Sequence, residues 1–225
     1  MTARTGHREP IAREGFPYAL PMFVVAAIFW WFEFPSISLL FLALTAAILL
    51  FFRNPHRIPP PGDHLVLSPA DGTIAQVLET AHSEDLPAGR FSRISIFMSV
   101  FNVHVNRSPI TGTVTKIVYR SGRFLDAREE AASSENESNA LVIRTDVGTF
   151  QVVQVAGLIA RRISCWVKEG DRLLRGDRFG LVHFGSRLDV YLPDGYSATV
   201  KVGTKVRAGT TVIAEKRADP SGDAV

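Results

Sequence analysis

The chain has 225 residues, 46% hydrophobic and 21% charged, which excludes a mainly disordered polypeptide. A single cysteine, Cys165, excludes an intrachain disulfide framework and a zinc site built on several thiolates. The isoelectric point near 9.2 looks basic, yet 25 Lys and Arg against 22 Asp and Glu leave a net charge of only +3. No nucleic-acid partner is expected on that charge.

Mean hydropathy is +0.12, high for a soluble protein, and the apolar residues are unevenly spread. Across residues 16–52 the only formal charge is Glu33. Two apolar runs, 16–32 and 34–52, lie back to back, and a spanning helix needs about 20 such residues with about 17 as the lower limit. The second run meets this and the first, with Pro21 near its start, is at the margin. Glu33, Pro35 and Ser36 supply a polar break where the chain can turn. Arg4, Arg8 and Arg13 precede the pair, and Arg53 and Arg57 follow it. By the positive-inside rule both ends are cytoplasmic, so the pair reads as a transmembrane helical hairpin in the cell (inner) membrane, with the remaining domain on the cytoplasmic side. A signal peptide is the competing reading, but no small-x-small cleavage site follows either run. Both runs are apolar on every face, which argues against a buried helical pair.

The expected organisation is a cytoplasmic segment 1–15, the hairpin 16–52, a linker 53–65 and a β domain 66–225. Residues 53–63 (RNPHRIPPPGD) hold four prolines and read as a stiff linker. Beyond them, 93–98 (RISIFM), 103–105 (VHV), 114–119 (VTKIVY), 151–155 (QVVQV) and 188–192 (LDVYL) read as strands punctuated by Gly and Pro. Stretch 121–138 is polar and reads as a long loop, partly helical around 127–132. A short repeat aligns 167–176 (VKEGDRLLRG) with 200–209 (VKVGTKVRAG), with Val, Lys and both glycines in register. Each copy reads as strand, Gly turn, short strand, Gly turn, the pattern of the hammerhead in lipoyl-like barrels. The expected fold is therefore mainly β, an antiparallel barrel or sandwich with hammerhead repeats.

The stretch 181–193 (LVHFGSRLDVYLP) places Gly185 and Ser186 in a tight turn directly before a strand, with His183 close by. A Gly-Ser pair alone is more often a turn than a reactive centre. Asp71 before Gly72 likewise fits a β-turn. His104 lies between Val103 and Val105, so it faces the opposite way from both. If the valines point inward it is a surface histidine; if outward, it is buried or lines a site. Lys168 and Lys201 in the repeat read as surface residues, and Cys165 beside Trp166 as core.

The motifs SPADG (68–72), FNVHVNRSP (101–109) and FGSR (184–187) occur in this order, and GRFLDA (122–127) and ENESNA (135–140) accompany them. Together they resemble the phosphatidylserine decarboxylase family in its short, membrane-anchored form, over nearly the whole β domain. The resemblance implies a self-processing, pyruvoyl-dependent enzyme that converts phosphatidylserine to phosphatidylethanolamine and CO2. The Ser186 hydroxyl would attack the Gly185 carbonyl to give an ester. β-Elimination and hydrolysis would then leave a pyruvoyl group at residue 186, with ammonia released. Chains 1–185 and 186–225 would remain associated. The pyruvoyl ketone would form a Schiff base with the substrate amine and serve where pyridoxal phosphate serves elsewhere, so neither pyridoxal phosphate nor a metal is implied.

The same resemblance carries Asp71 and His104 over as catalytic residues. Longer bacterial members have a second histidine three residues after the first, where this chain has Arg107. Either His104 serves both steps or His183 shares the task, with His183 and Arg107 as auxiliaries. Arg107, Arg123 and Arg187 are open to pairing with the substrate phosphodiester. Two other classes fit parts of the pattern. A membrane-tethered zinc hydrolase would need at least three ligands, and the six histidines are scattered. A non-enzymatic hammerhead adaptor gives no role to Gly185 and Ser186. The acyl or ether character of the lipid, and homo-oligomer formation, stay open.

Overall fold

The computed structural model describes residues 8–123, 125, 135–157, 162–183 and 186–217. Gly185, most of the loop expected at 121–138 and its helical part at 127–132 lie outside the described residues.

Proline at the first turn and unbroken apolar sequence start both helices, α1 (Phe16–Trp31) and α2 (Pro35–Phe51). Between them Glu33 takes a left-handed backbone (φ 64°), and Phe34 N–H closes the turn on the Phe29 carbonyl at 2.9 Å. The helices meet through small residues: Ala19 and Ala26 on α1, Ser38 and Thr45 on α2, all buried. Ser38 Oγ donates to the Ala26 carbonyl at 2.8 Å, and Phe29 stacks on Phe41. Most of the remaining large apolar side chains of the pair are exposed, Phe51 and Phe52 at its base being buried. With the turn Arg13–Gly15 included, Arg13–Trp31 is long and apolar enough to cross a membrane, while Pro35–Phe51 falls short. That order is the reverse of the one expected, because Phe34 and Phe52 leave the second helix as its caps. The two ends of the pair are tied at the base, Ala12 N–H to the Phe52 carbonyl at 2.8 Å and Asn54 N–H to the Pro10 carbonyl at 2.7 Å.

The rest is mainly β. In chain order the strands are β1 (Leu65–Leu67), β2 (Gly72–Ala81), β3 (Phe91–Met98), β4 (Val105–Arg107), β5 (Gly112–Arg120), β6 (Ser138–Thr145) and β7 (Gly148–Ala156). They continue as β8 (Ile163–Cys165), β9 (Arg172–Leu173), β10 (Arg178–Val182), β11 (Ser186–Pro193), β12 (Tyr196–Ala198), β13 (Lys205–Val206) and β14 (Val212–Lys216). All pair antiparallel, in a curled eight-stranded sheet β13-β2-β3-β11-β7-β6-β5-β9 and two three-stranded sheets, β1-β14-β12 and β4-β10-β8. Alternate residues such as Ile94, Ile96, Leu188, Val190, Leu192, Leu141 and Ile143 fill one core.

These sheets have an internal two-fold pattern. Exchanging β13-β2-β3-β11 with β9-β5-β6-β7, and β1-β14-β12 with β4-β10-β8, reproduces the order. The sequence repeat occupies matching places in the two halves. Gly170 N–H bonds the Val114 carbonyl and Gly203 N–H the Ile74 carbonyl, both at 2.8 Å. Gly176 N–H bonds Ser108 O and Gly209 N–H bonds Ser68 O, at 2.8 and 2.7 Å. All four glycines have φ between 70° and 89°, which explains why they recur. The turn 68–73 (SPADGT) thus corresponds to 108–113 (SPITGT), and Asp71 to Thr111.

Segment 53–65 is not a free linker. Arg107 donates to the Pro55 carbonyl at 2.6 Å, Arg178 to Asn54 Oδ1 at 2.6 Å, and Arg175 to the carbonyls of Pro60 at 2.7 Å and Gly62. Proline removes donors but leaves carbonyls, and the domain's arginines take them up.

Gly72 and Gly112 occupy matching positions where a neighbouring strand crosses closely. A Cβ at Gly112 would sit 2.6 Å from the Arg144 carbonyl oxygen and 2.7 Å from an Ile143 methyl. Gly112→Ala is expected to cost about 1–3 kcal/mol of stability, as overpacking does. Thermal unfolding of the full chain in detergent checks this, and an unchanged midpoint would mean that the strands separate freely there.

Candidate active site

Ser186 is the first residue of β11 and is fully buried, facing Met98 of β3 and Ala156 of β7 across the ladders. Its Oγ approaches Met98 Sδ at 3.4 Å. The amide of Asn106 reaches the same sulfur at 3.9 Å and is held by Gln154 at 2.8 Å, which in turn receives the Asn139 amide at 3.0 Å. This buried amide chain runs from β6 through β7 and β4 toward Ser186. Sequence reading missed it, because each member looks like an ordinary polar strand residue.

His104 is fully buried, and so are Val103 and Val105. The alternation argument assumed one open face, but the helical pair covers the side that would otherwise be open. Phe51, at the end of α2, lies on the His104 ring with centroids 4.0 Å apart, and Val103, Val105, Phe51, Phe52 and Leu181 form a second apolar cluster. His104 Nδ1 is 3.0 Å from the Asn102 carbonyl. A carbonyl only accepts, so Nδ1 carries the proton and Nε2 presents a lone pair. That Nε2 is buried and, among the described residues, has no hydrogen-bond partner. Burial, reinforced by the positive charges of Arg53 and His183, pulls the His104 pKa down to about 4, while the Asn102 bond and the Asp71 carboxylate oppose the fall. The ring is therefore neutral near pH 7.

His183, also buried, packs edge-on to Phe52 and Tyr18, with Nε2 3.5 Å from Ser164 Oγ. Burial, then Arg162, lowers its pKa. Asp71 is buried and held by Arg57, one arm of the pair at 2.8 Å, and by the Ala208 N–H at 2.8 Å. Arg57 was legible only as a linker charge. Asp71 lines a cavity of about 510 Å³ with Thr73, Phe97, Ser99, Asn102 and Lys205. Phe97 and Ser99 flank Met98, and Asn102 is the partner of His104, so Asp71, His104 and Ser186 share one end of the sheet. Among the described residues no hydrogen bond joins the three directly.

The arginines serve other ends. Arg107 is buried, its guanidinium given to the Gly176 and Pro55 carbonyls, and burial beside Arg178 and Arg57 lowers its pKa to about 10. Arg187 forms a buried ion pair with Asp189 at 3.0 Å, and exposed Arg123 pairs with Glu135 at 3.3 Å. The GRFLDA and ENESNA segments meet: Asn136 bonds Leu125 N–H at 2.9 Å and the Ala156 carbonyl at 2.8 Å, beside Ser186. Among the described residues no group of three His, Cys, Asp or Glu could hold a metal ion.

A buried serine, a neutral histidine and a salt-bridged carboxylate lie at one end of a sheet, the residue types that acid–base chemistry uses. The family model for phosphatidylserine decarboxylase matches residues 44–214. A phosphatidylserine decarboxylase proenzyme of Beijerinckia indica subsp. indica is 47% identical over 212 residues, covering 93% of this chain and 91% of the relative. The chain belongs to the phosphatidylserine decarboxylase family, a group of carboxy-lyases.

A histidine held below its ordinary value binds fewer protons folded than unfolded. Its contribution to stability is whole above about pH 6.5 and shrinks as pH falls toward 4. Going from about pH 7.5 to about pH 5 is expected to cost roughly 2 kcal/mol through His104, with His183 adding in the same direction. Thermal unfolding of the Ser186→Ala chain at both pH values reads this, and adding His104→Gln should remove most of the difference. Equal slopes would mean that His104 titrates normally.

Proposed function

We propose that this chain is the proenzyme of a membrane-anchored, pyruvoyl-dependent phosphatidylserine decarboxylase that cuts itself between Gly185 and Ser186. The observation that carries the reading is the complete burial of Ser186 at the head of β11, at the same end of the sheet as His104 and Asp71. Loss of the Ser186 proton needs a nearby acceptor, and His104 Nε2 is neutral, buried and, among the described residues, unpartnered. The Asp71 carboxylate favours the charge that forms on His104. Because three donors already hold it, its role is electrostatic rather than that of the base itself.

The buried Nε2 of His104 and the buried position of residue 186 fit a pyruvoyl group formed there, whose ketone would supply an electron sink for the pair released as CO2 leaves. His104 would accept a proton from the substrate ammonium and hold it for return to the carbon that has lost CO2. Covering by Phe51 and Phe52 keeps water from that proton. His183 and Arg107 would act as auxiliaries, His183 beside the site and Arg107 through the segment it holds.

The paired helices, apolar outside and tied at their base, support a hairpin inserted from the cytoplasmic face of the cell membrane. Segment 1–15 would then lie on that face, with 16–52 as anchor, 53–65 as connector and 66–225 as catalytic domain. The matched Gly turns support hammerhead halves. After the cut, chains 1–185 and 186–225 would stay together, since β11 lies between β3 and β7 and β14 pairs with β1.

Denaturing mass spectrometry tests the reading. Two chains are expected, the second beginning with a pyruvoyl group at former Ser186, and Ser186→Ala should remain one chain. An intact wild-type polypeptide in active preparations would sink it. Asp71→Asn is expected to slow cleavage by about a hundred-fold or more, the scale of a lost electrostatic contribution in a water-excluded site. A rate like wild type, followed by gel densitometry, would remove Asp71 from the scheme.

A further inference from the structure

The turn between β3 and β4 presents its apolar residues outward. Phe101 is 84% exposed and Val100 is also exposed, although turns favour small polar residues. The turn is nevertheless rigid. Asn102 N–H bonds the Ser99 carbonyl at 3.0 Å, and Asn102 Oδ1 accepts from Ser99 N–H at 2.8 Å and Ser99 Oγ at 2.9 Å. A single exposed phenylalanine is ordinary on a soluble surface. Its surroundings here set it apart.

Arg53, two residues beyond the end of α2, donates to the Phe101 carbonyl at 2.7 Å and to the Leu50 carbonyl at 2.6 Å. The tip therefore stands against the base of the helical pair, where its exposed apolar surface begins. Ser99 and Asn102 also line the cavity that contains Asp71, and the Asn102 carbonyl fixes His104. One rigid turn thus joins an apolar tip, a cavity wall and the neutral histidine.

We propose that Val100 and Phe101 form a wedge of the β domain that docks into the interfacial layer of a phospholipid bilayer beside α2. A lipid whose chains pack against this wedge has its head group level with the cavity wall formed by Ser99 and Asn102. Arg53, at the same junction, faces the phosphate layer. The inference rests on the reading of α1 and α2 as membrane-inserted, and the test separates the two.

In the full chain carrying Cys165→Ser, single cysteines are placed by Val100→Cys, Leu42→Cys in α2 and Val147→Cys. Val147 lies in the β6–β7 turn, at the opposite end of β7 from Ala156. Each is labelled with an NBD fluorophore and reconstituted into phosphatidylcholine/phosphatidylglycerol vesicles containing doxyl-labelled lipid, with the doxyl near the top of the acyl chain to read Val100 and deep in the chain to read Leu42, and Val147 read with both. The Val100 probe, at the head-group and acyl boundary, and the Leu42 probe, deeper in the acyl layer, are each expected to be quenched at least about two-fold, and the Val147 probe not at all. Adding Phe101→Asp should return the Val100 probe to the Val147 level while Leu42 stays quenched. A Val100 probe that behaves like Val147 while Leu42 is quenched overturns the wedge and leaves the anchor. An unquenched Leu42 probe overturns the anchor reading, and the wedge with it.

Discussion

Strand β11 is hydrogen-bonded to β3 over its whole length and to β7 over most of it, and this double ladder sets the position of Ser186. A residue at the edge of a sheet, or one rung further out, could turn either way. At the head of a central strand its face is fixed by the pleat, and Ser186 shares the inward face with Leu188 and Val190. The core that holds those two side chains therefore also holds the serine. The amide chain from Asn139 through Gln154 to Asn106 then fills the polar space that a hydroxyl at the core's end leaves open. Each amide is satisfied by the next, which is what makes such a chain tolerable in the interior.

The second element is the cover supplied by the helical pair. Without Phe51 and Phe52, His104 and His183 would lie at the surface of the β domain and titrate accordingly. The aromatic rings exclude water and leave His104 neutral, with its proton placed on Nδ1 by the Asn102 carbonyl. The apolar segment that suggests membrane attachment thus also conditions the acid–base chemistry. The same few residues end the helix, close the cluster and cover the site.

Much of this was legible in the chain. The repeat at 167–176 and 200–209 marked two matching sheet corners, and its glycines mark positive-φ turns in both halves. SPADG and the segment around Ser186 were marked by the family resemblance, and the fold brings them to one end of the sheet. Other parts depend on contacts distant in sequence, which local patterns do not carry. Four prolines hid Arg57, whose partner is Asp71. The alternation of Val103, His104 and Val105 could not reveal that both faces are covered, because the cover comes from residues near position 51. Asn106, Gln154 and Asn139 belong together only once β4, β7 and β6 are in register. The two-fold pattern explains a further difference: the turns at Asp71 and Thr111 share a backbone role, and only one of them has a carboxylate.

The segment after the helices gives the carbonyls of Pro55, Pro60 and Gly62 to Arg107, Arg175 and Arg178, which hold it against the β domain. A domain on a loose tether samples many orientations and must find its lipid by rotation as well as translation. Here the helices are tied to the β domain through Arg53, the Pro55 and Pro60 carbonyls and the Phe51–His104 contact, which fixes the cavity mouth relative to the helical pair. With the helices inserted in a membrane as proposed, encounter would depend on lipids drifting sideways to that opening, and the supply of substrate would be governed by its share of the membrane plane, whatever the volume of water above it.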